Sequence, residues 1–341
     1  MEFAMRQCNP TLFLTALIPV AVISPLIAIA LGTANISLVD VVGAIWRAVN
    51  SMIEPGPMAT ISDRIIVELR MPRVLMAMVC GAGLAVSGSV LQSVTRNPLA
   101  DPYLFGISAG ASLGAILALT GGISVLSLPV CAFLGSLIAV AVVMVMARDG
   151  QVETLVLSGV AISFLLSSMA NLILYFGDPQ ATQMVLFWSL GSFSRATWGS
   201  LMLPAFTVII ATLIIYQFHR PLQALIAGDE SAQTQGVSVL PLRLGMLLLT
   251  ALMTSSLVAT CGGIGFVGLM IPHVVRILTG SASASSLITT ALLGAVLMVW
   301  VDLLARQILP SQELPVGVMT AMLGSVFFIG LLIKRRHRLR K

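Results

Sequence analysis

Long apolar runs, each close to the length of a membrane-crossing helix, recur along this chain and are separated by short polar connections. A helix needs about 20 apolar residues to cross the hydrocarbon core, with a range near 17–25. Runs of that kind predict ten crossings, at residues 11–33, 73–94, 102–120, 125–147, 154–176, 200–218, 242–261, 264–279, 284–305 and 315–333. Strict apolar–polar alternation is absent, which argues against a barrel. Backbone polar groups must be satisfied internally in lipid, so the runs must be helical. The expected fold is all-α, a single polytopic domain over residues 1–341 with about ten transmembrane helices. The eighth run is short, follows Gly262, Gly263, Gly265 and Gly268, and contains Pro272. A broken or partly re-entrant segment is an alternative there, since irregular backbone is tolerated where protein buries it.

Composition agrees with this pattern. Hydrophobic residues make up 58% of the chain and charged residues 9%, against about 25% charged in an average soluble domain. Such a chain cannot build a water-facing surface, so its solvent is lipid. The net charge of +5 does not point to nucleic acid, because the cations form no stripe with interleaved aromatics. The uncharged run from Thr11 to Leu31 is too long for an ordinary signal-peptide core and no clear cleavage site follows it, so a retained first helix is expected. Cys8, Cys80, Cys131 and Cys261 are far apart, as are His219, His273 and His337, and neither set has metal-ligand or disulfide spacing.

Cation placement orients the bundle. The tail Lys334–Lys341 holds six of the eighteen cations, and an even number of spans puts both termini on that side, the cytoplasm. Arg6, Arg96, Arg148, Arg220, Arg243 and Arg276 then join the tail inside, leaving Arg47, Arg64, Arg70, Arg73, Arg195 and Arg306 outside. Two connections are unusually long. The exterior segment 34–72 contains Ser37-Leu38-Val39-Asp40, a capping-box pattern that predicts a short amphipathic surface helix. The cytoplasmic segment 219–243 contains the polar stretch Gly228–Gly236, where a short helix with Asp229 and Glu230 in its first turn suits the helix dipole. An insertion of this kind among tight loops suggests contact with a partner.

Helices in lipid associate through small residues. Gly106, Gly110 and Gly114 form two GxxxG steps, and Gly81, Gly83, Ser87 and Gly88 form a second small-residue surface, both read as packing faces. Little charge lies at membrane depth, which argues against an ion-coupled secondary transporter, the main rival reading. Asp302 and Arg306 lie one helical turn apart near the outer end of the ninth span, either as a local pair or as a functional one. An intramembrane hydrolase would need a catalytic Ser/His, His/Glu or paired-Asp set, and only serines and isolated histidines are present. No G-x-x-x-x-G-K-[ST] loop occurs, so energy for active transport would have to come from another chain.

Several motifs together carry a resemblance. They are Arg70-Met71-Pro72-Arg73, Gly81 to Gly88, Gln92, Arg96-Asn97-Pro98-Leu99-Ala100-Asp101-Pro102, Trp188–Ser192 with Trp198, residues 228–237, Gly263–Leu269 with Ile271-Pro272-His273 and Arg276, and Asp302, Arg306 and Glu313–Gly317. In this order they resemble the permease subunits of iron-chelate (siderophore or haem) and vitamin B12 importers, the ten-helix type II ABC importers. The resemblance implies a homodimer or heterodimer of permeases with the pathway between them. It implies two ATP-binding-cassette ATPase subunits inside and a substrate-binding protein outside. No cofactor is expected in this chain, ATP and Mg being bound by the ATPase, and the chain is not expected to be an enzyme. The family's coupling helix falls on Gly228, Asp229, Glu230, Ala232 and Gly236. Its binding-protein docking arginines fall on Arg70, Arg73 and Arg306, with lipid-headgroup anchoring as the rival reading for the first two. Its cytoplasmic gate falls on Asn97, Pro98 and Leu99, where an ordinary helix–helix turn is the alternative. Phe105 and Ser325 depart from the family's usual leucine and proline. The serine-rich run after Gly280 puts a cytoplasmic contact near residue 282 in doubt. The resemblance makes iron–siderophore the first-choice cargo, with haem, cobalamin and oxyanions behind it.

Overall fold

The computed structural model describes residues 9–32, 36–53, 60–120, 126–149, 151–280, 284–309 and 312–339. Arg6, Cys8, the doubtful contact near residue 282 and the last two residues of the basic tail lie outside them. Helices are the only regular elements among the described residues, with no strand.

Among the described residues, eight helices are long and apolar enough to cross a membrane, and two shorter apolar helices fall on the other two of the ten expected segments. In chain order the helices are α1 (Pro10–Ala30), α2 (Leu38–Ile53), α3 (Ile61–Arg64), α4 (Met71–Val94), α5 (Ile107–Leu119), α6 (Leu128–Met146), α7 (Val152–Phe176), α8 (Pro179–Ser189), α9 (Trp198–Gln217), α10 (His219–Ile226), α11 (Asp229–Thr234), α12 (Val239–Cys261), α13 (Val267–Thr279), α14 (Ala284–Gln307) and α15 (Val316–Leu339). At 13 residues each, α5 and α13 are only about 20 Å long at 1.5 Å per residue. Both are preceded by irregular backbone. A 3-10 turn at Pro102–Phe105 leads into α5 through left-handed Gly106, and a non-helical stretch after Cys261 leads into α13. The eighth segment is a single short helix, continuous through Pro272. The third is interrupted at its start, where the 3-10 turn and Gly106 precede α5.

The second crossing departs most from expectation. Instead of starting near residue 73, helix runs unbroken over Ile61–Val94, because α3 passes through a π-helical turn, Ile65–Arg70, directly into α4. Charge at Asp63, Arg64, Glu68 and Arg70 ends an apolar run but does not end a helix. At 34 residues the rod is about 51 Å long, well beyond a hydrocarbon core of about 30 Å. Thr60 begins it with a capping box, its hydroxyl accepting from the Asp63 amide while the Asp63 carboxylate accepts from the Thr60 amide. The exterior amphipathic helix forms as expected: Ser37 and Asp40 make the capping contacts, and α2 buries Val41 and Ala44 while Val39 and Trp46 stay exposed. The short helix α8 was not foreseen. Asp178 caps it, accepting from the Ala181 amide at 3.1 Å, and Pro179 occupies its first position.

Small residues set the packing. A Cβ on Gly81 would strike the Gly294 carbonyl of α14, and one on Gly88 would strike the Gly268 carbonyl of α13. Gly110 and Gly114 press likewise on Gly135 and Cys131 of α6. Gly106 is not the third step of that ridge, because it caps α5 with φ 77°. The most enclosed crossing helices are Ile61–Val94 and α12. They pack against each other, with Val86, Leu84, Met253 and Leu257 in the shared core.

Candidate functional site

Charged side chains gather at the two ends of the bundle, and each end collects the connections that cation placement had assigned to one side of the membrane. On the exterior end, Asp302 of α14 is 1% exposed and lies among arginines. Arg73 Nη2 meets Asp302 Oδ1 at 2.9 Å, and Arg306 Nε meets Asp302 Oδ2 at 3.1 Å. Arg73 Nη1 also reaches Glu313 Oε1 at 2.9 Å. Arg306 Nη2 donates to the Ala28 carbonyl at 3.2 Å, and Arg70 Nη1 donates to the Ile29 carbonyl at 2.6 Å and that of Ala30 at 3.1 Å. The last carbonyls of α1 lack intrahelical partners, so the two arginines cap that helix. The pair Asp302–Arg306 is local, as one reading had it, but it is also the hub joining α1, α4 and α14.

Arg70, Arg73 and Arg306, the docking arginines that the resemblance implies, all lie in this cluster. All three are largely buried, and their guanidiniums are engaged by acceptors within the chain. The exposed exterior arginines are Arg47, Arg64 and Arg195, and Arg47 is bound by Asp63 at 2.6 Å. Arg195 borders a recess of about 310 Å³ lined also by Phe187, Trp188, Ser192, Thr260 and Glu313. Trp198 ties this region to the long rod, its indole donating to the Val67 carbonyl at 2.9 Å in the π-helical turn.

On the cytoplasmic end, α11 is held between two glycines with left-handed or strained backbone, Gly228 at φ 122° and Gly236 at φ 80°. Side chains with a Cβ rarely adopt such angles, so the two glycines let the chain leave α10, form one and a half turns and re-enter α12. Ala232 is fully buried and seats the short helix, while Glu230, Gln233 and Thr234 face outward. Asp229 turns inward. It meets Arg243 Nη2 at 2.9 Å and Arg96 Nη2 at 3.7 Å.

The Asn97-Pro98-Leu99 segment is a tight turn. Asn97 Oδ1 accepts from the Leu99 amide at 2.9 Å, and the Asn97 carbonyl accepts from the Ala100 amide at 3.1 Å. Leu99 is 59% exposed, an apolar tip with no cover from its own chain. Asp101 caps the following 3-10 turn by accepting from the Tyr103 amide, and desolvation pushes its carboxyl up to about 6. The Tyr103 hydroxyl donates to the Ile264 carbonyl and accepts from the Ile264 amide, fastening the non-helical stretch before α13. Gln92 does the same for α13 itself, donating to the Gly268 carbonyl at 3.1 Å and accepting from Arg276. The sequence marked Gln92 and Arg276 as parts of motifs, but their 184-residue separation hid that they touch.

Comparison with known proteins settles the class. A model of the FecCD transport family matches residues 20–334. The chain belongs to the FecCD transport family. As a member it is a permease subunit of an ABC importer, a multi-pass protein of the inner membrane. It is 39% identical over 274 residues to the Fe(3+) dicitrate transport system permease protein FecD of Escherichia coli (strain K12), covering 80% of this chain and 86% of that one. It is 38% identical over 280 residues to the hemin transport system permease protein HmuU of Yersinia pestis, covering 80% and 84%. A solved structure of a metal-chelate type ABC transporter in an inward-facing conformation superposes with a TM-score of 0.83 at 30% identity, covering 94% of this chain and 98% of that one. These relatives bear out the family resemblance and leave the ion-coupled alternative unfavoured. ATPase and substrate-binding partners follow from the class.

Proposed function

We propose that this FecCD permease carries a ferric chelate inward, works as a dimer, and receives the ATPase stroke through α11. The observation that carries this reading is the shape of the 228–237 segment. A short helix is fastened at its first residue and seated on Ala232, and it presents an uncovered polar face of Glu230, Gln233 and Thr234. A rigid projection with exposed hydrogen-bonding groups suits a cleft on another protein. The ferric cargo rests on the names of the relatives, iron(III) dicitrate and hemin transport permeases. ATP and Mg would be bound by the partner, and this chain would do no covalent chemistry.

Leu99 supports a gate on the cytoplasmic side. In a dimer two such tips would meet near the axis, and apolar constrictions close a path by excluding water. For docking of the binding protein, exposed Arg64 and Arg195 are the groups free to meet carboxylates, while Arg70, Arg73 and Arg306 stiffen the surface beneath them. Opposed charges steer docking and fix orientation.

Two tests follow. Glu230→Arg is expected to lower co-purification of the ATPase subunit at least tenfold while the permease still elutes as a folded dimer. Undiminished co-purification would remove α11 as the contact. Arg64→Glu with Arg195→Glu is expected to weaken binding-protein docking five- to twenty-fold in a pull-down from proteoliposomes, and the loss should shrink at high salt because exposed charges are screened. Ferric citrate uptake into proteoliposomes bearing all three components, absent without ATP, tests the cargo.

A further inference from the structure

The two segments assigned to coupling and gating touch through one carboxylate. Arg96 lies between the end of the long rod and the Asn97-Pro98-Leu99 turn, and its guanidinium lies 3.7 Å from Asp229, the first residue of α11. The same guanidinium lies over Gly228, where an added Cβ would approach Arg96 Nη1 at 3.8 Å. Asp229 is held from the other side by Arg243 of α12, with both carboxylate oxygens within 3.1 Å of Arg243 Nη2. Arg96 itself has φ 52°, a left-handed backbone that a non-glycine residue adopts at a cost and keeps only when its surroundings fix it.

We propose that the Asp229–Arg96 pair is the strut that carries displacement of the coupling helix to the gate turn. Three features favour it. The contact is direct, so no intervening packing needs to transmit motion. It joins two segments that differ in anchoring: Arg243 is 3% exposed and fixes Asp229 to α12, whereas Arg96 is half-exposed at 41% and can follow or release. And the receiving residue is a strained one, where a change of backbone angle re-aims the three residues after it. A recess of about 290 Å³ beside the pair, lined by Arg96, Asp149, Glu153, Asp229, Gln233 and Arg243, leaves room for that movement. A surface ion pair of this exposure adds little to folding, so its removal should register in coupling before it registers in stability. Arg96 acts through the turn and is a positioning residue.

The strut rests on the readings of α11 as coupling helix and of residues 97–99 as gate, and one experiment separates the failures. Leu99→Cys is placed in a Cys8→Ser background, and the complex with its ATPase is reconstituted. The rate of alkylation by a water-soluble maleimide is then compared without nucleotide and with ATP trapped by vanadate. The parent should show a nucleotide-dependent change in rate. Adding Arg96→Gln should shrink that change at least fivefold with the ATPase still bound, and Arg96→Lys should retain more than half of it. An unchanged nucleotide response in Arg96→Gln overturns the strut alone. Loss of the ATPase from the Arg96→Gln complex also overturns it, because the pair would then hold the docking segment instead of transmitting from it. If the parent shows no nucleotide response, the gate reading fails and the strut falls with it.

Discussion

Asp302→Asn should be the most damaging conservative substitution in the exterior half of the protein. The amide keeps the shape of the carboxylate, so no cavity forms, but two largely buried guanidiniums lose their shared counter-ion. Breaking a buried ion pair by removing one partner costs about 3–5 kcal/mol, since the remaining charge stays desolvated and uncompensated. Arg73 would keep Glu313, which is 47% exposed and therefore well screened, and Arg306 would keep only backbone acceptors. Thermal unfolding of the purified protein in detergent should shift down sharply, with loss of folded yield. Replacing Arg73 by leucine in the Asp302→Asn background should recover part of the loss, since it removes one stranded charge. A double-mutant cycle showing no coupling between the two positions would contradict this account.

The second large effect comes from a single methyl group. Gly88→Ala places a Cβ against the Gly268 carbonyl, backbone on backbone, so neither side can give by rotating a side chain. The rod and α13 must separate, and with them go the contacts that Gln92 makes to the Gly268 carbonyl and to Arg276. Overpacking of this kind costs about 1–3 kcal/mol, and the lost side-chain hydrogen bonds add about 1 kcal/mol each. Gly245→Ala is the control with opposite sign. A Cβ there meets nothing within 4 Å, and replacing a mid-helix glycine by alanine gains about 0.5–1 kcal/mol. If both substitutions raised the unfolding midpoint, helix propensity rather than close packing would govern these glycines.

How much of this could be read from the chain depends on the range of the forces involved. Crossing helices were legible because a run such as Leu128–Met146 declares its own solvent, and hydrophobicity is a local property. The exterior surface helix was legible for the same reason: Ser37 and Asp40 are neighbours. The 228–236 helix showed itself through polarity where polarity had no other use. Contacts across the bundle were not legible. Arg73 and Asp302 stand 229 residues apart, and nothing local tells an arginine facing water from one facing a buried carboxylate. The family resemblance matched Arg70, Arg73 and Arg306 to a docking surface, and the burial of all three appears only in three dimensions. The length of the second crossing was misjudged for a related reason. Charged residues at positions 63, 64, 68 and 70 end an apolar run, but helix continues through them.

That continuation gives the protein a lever. One unbroken rod begins near Arg64 at the outer surface and stops at Thr95, one residue short of the strained Arg96. Over about 51 Å, a tilt of about five degrees would carry the tip sideways by roughly 4 Å. Whatever presses on the outer tip therefore already has a mechanical claim on the inner one. Arrival of cargo on one side and the stroke of the motor on the other would be felt at opposite ends of the same stick.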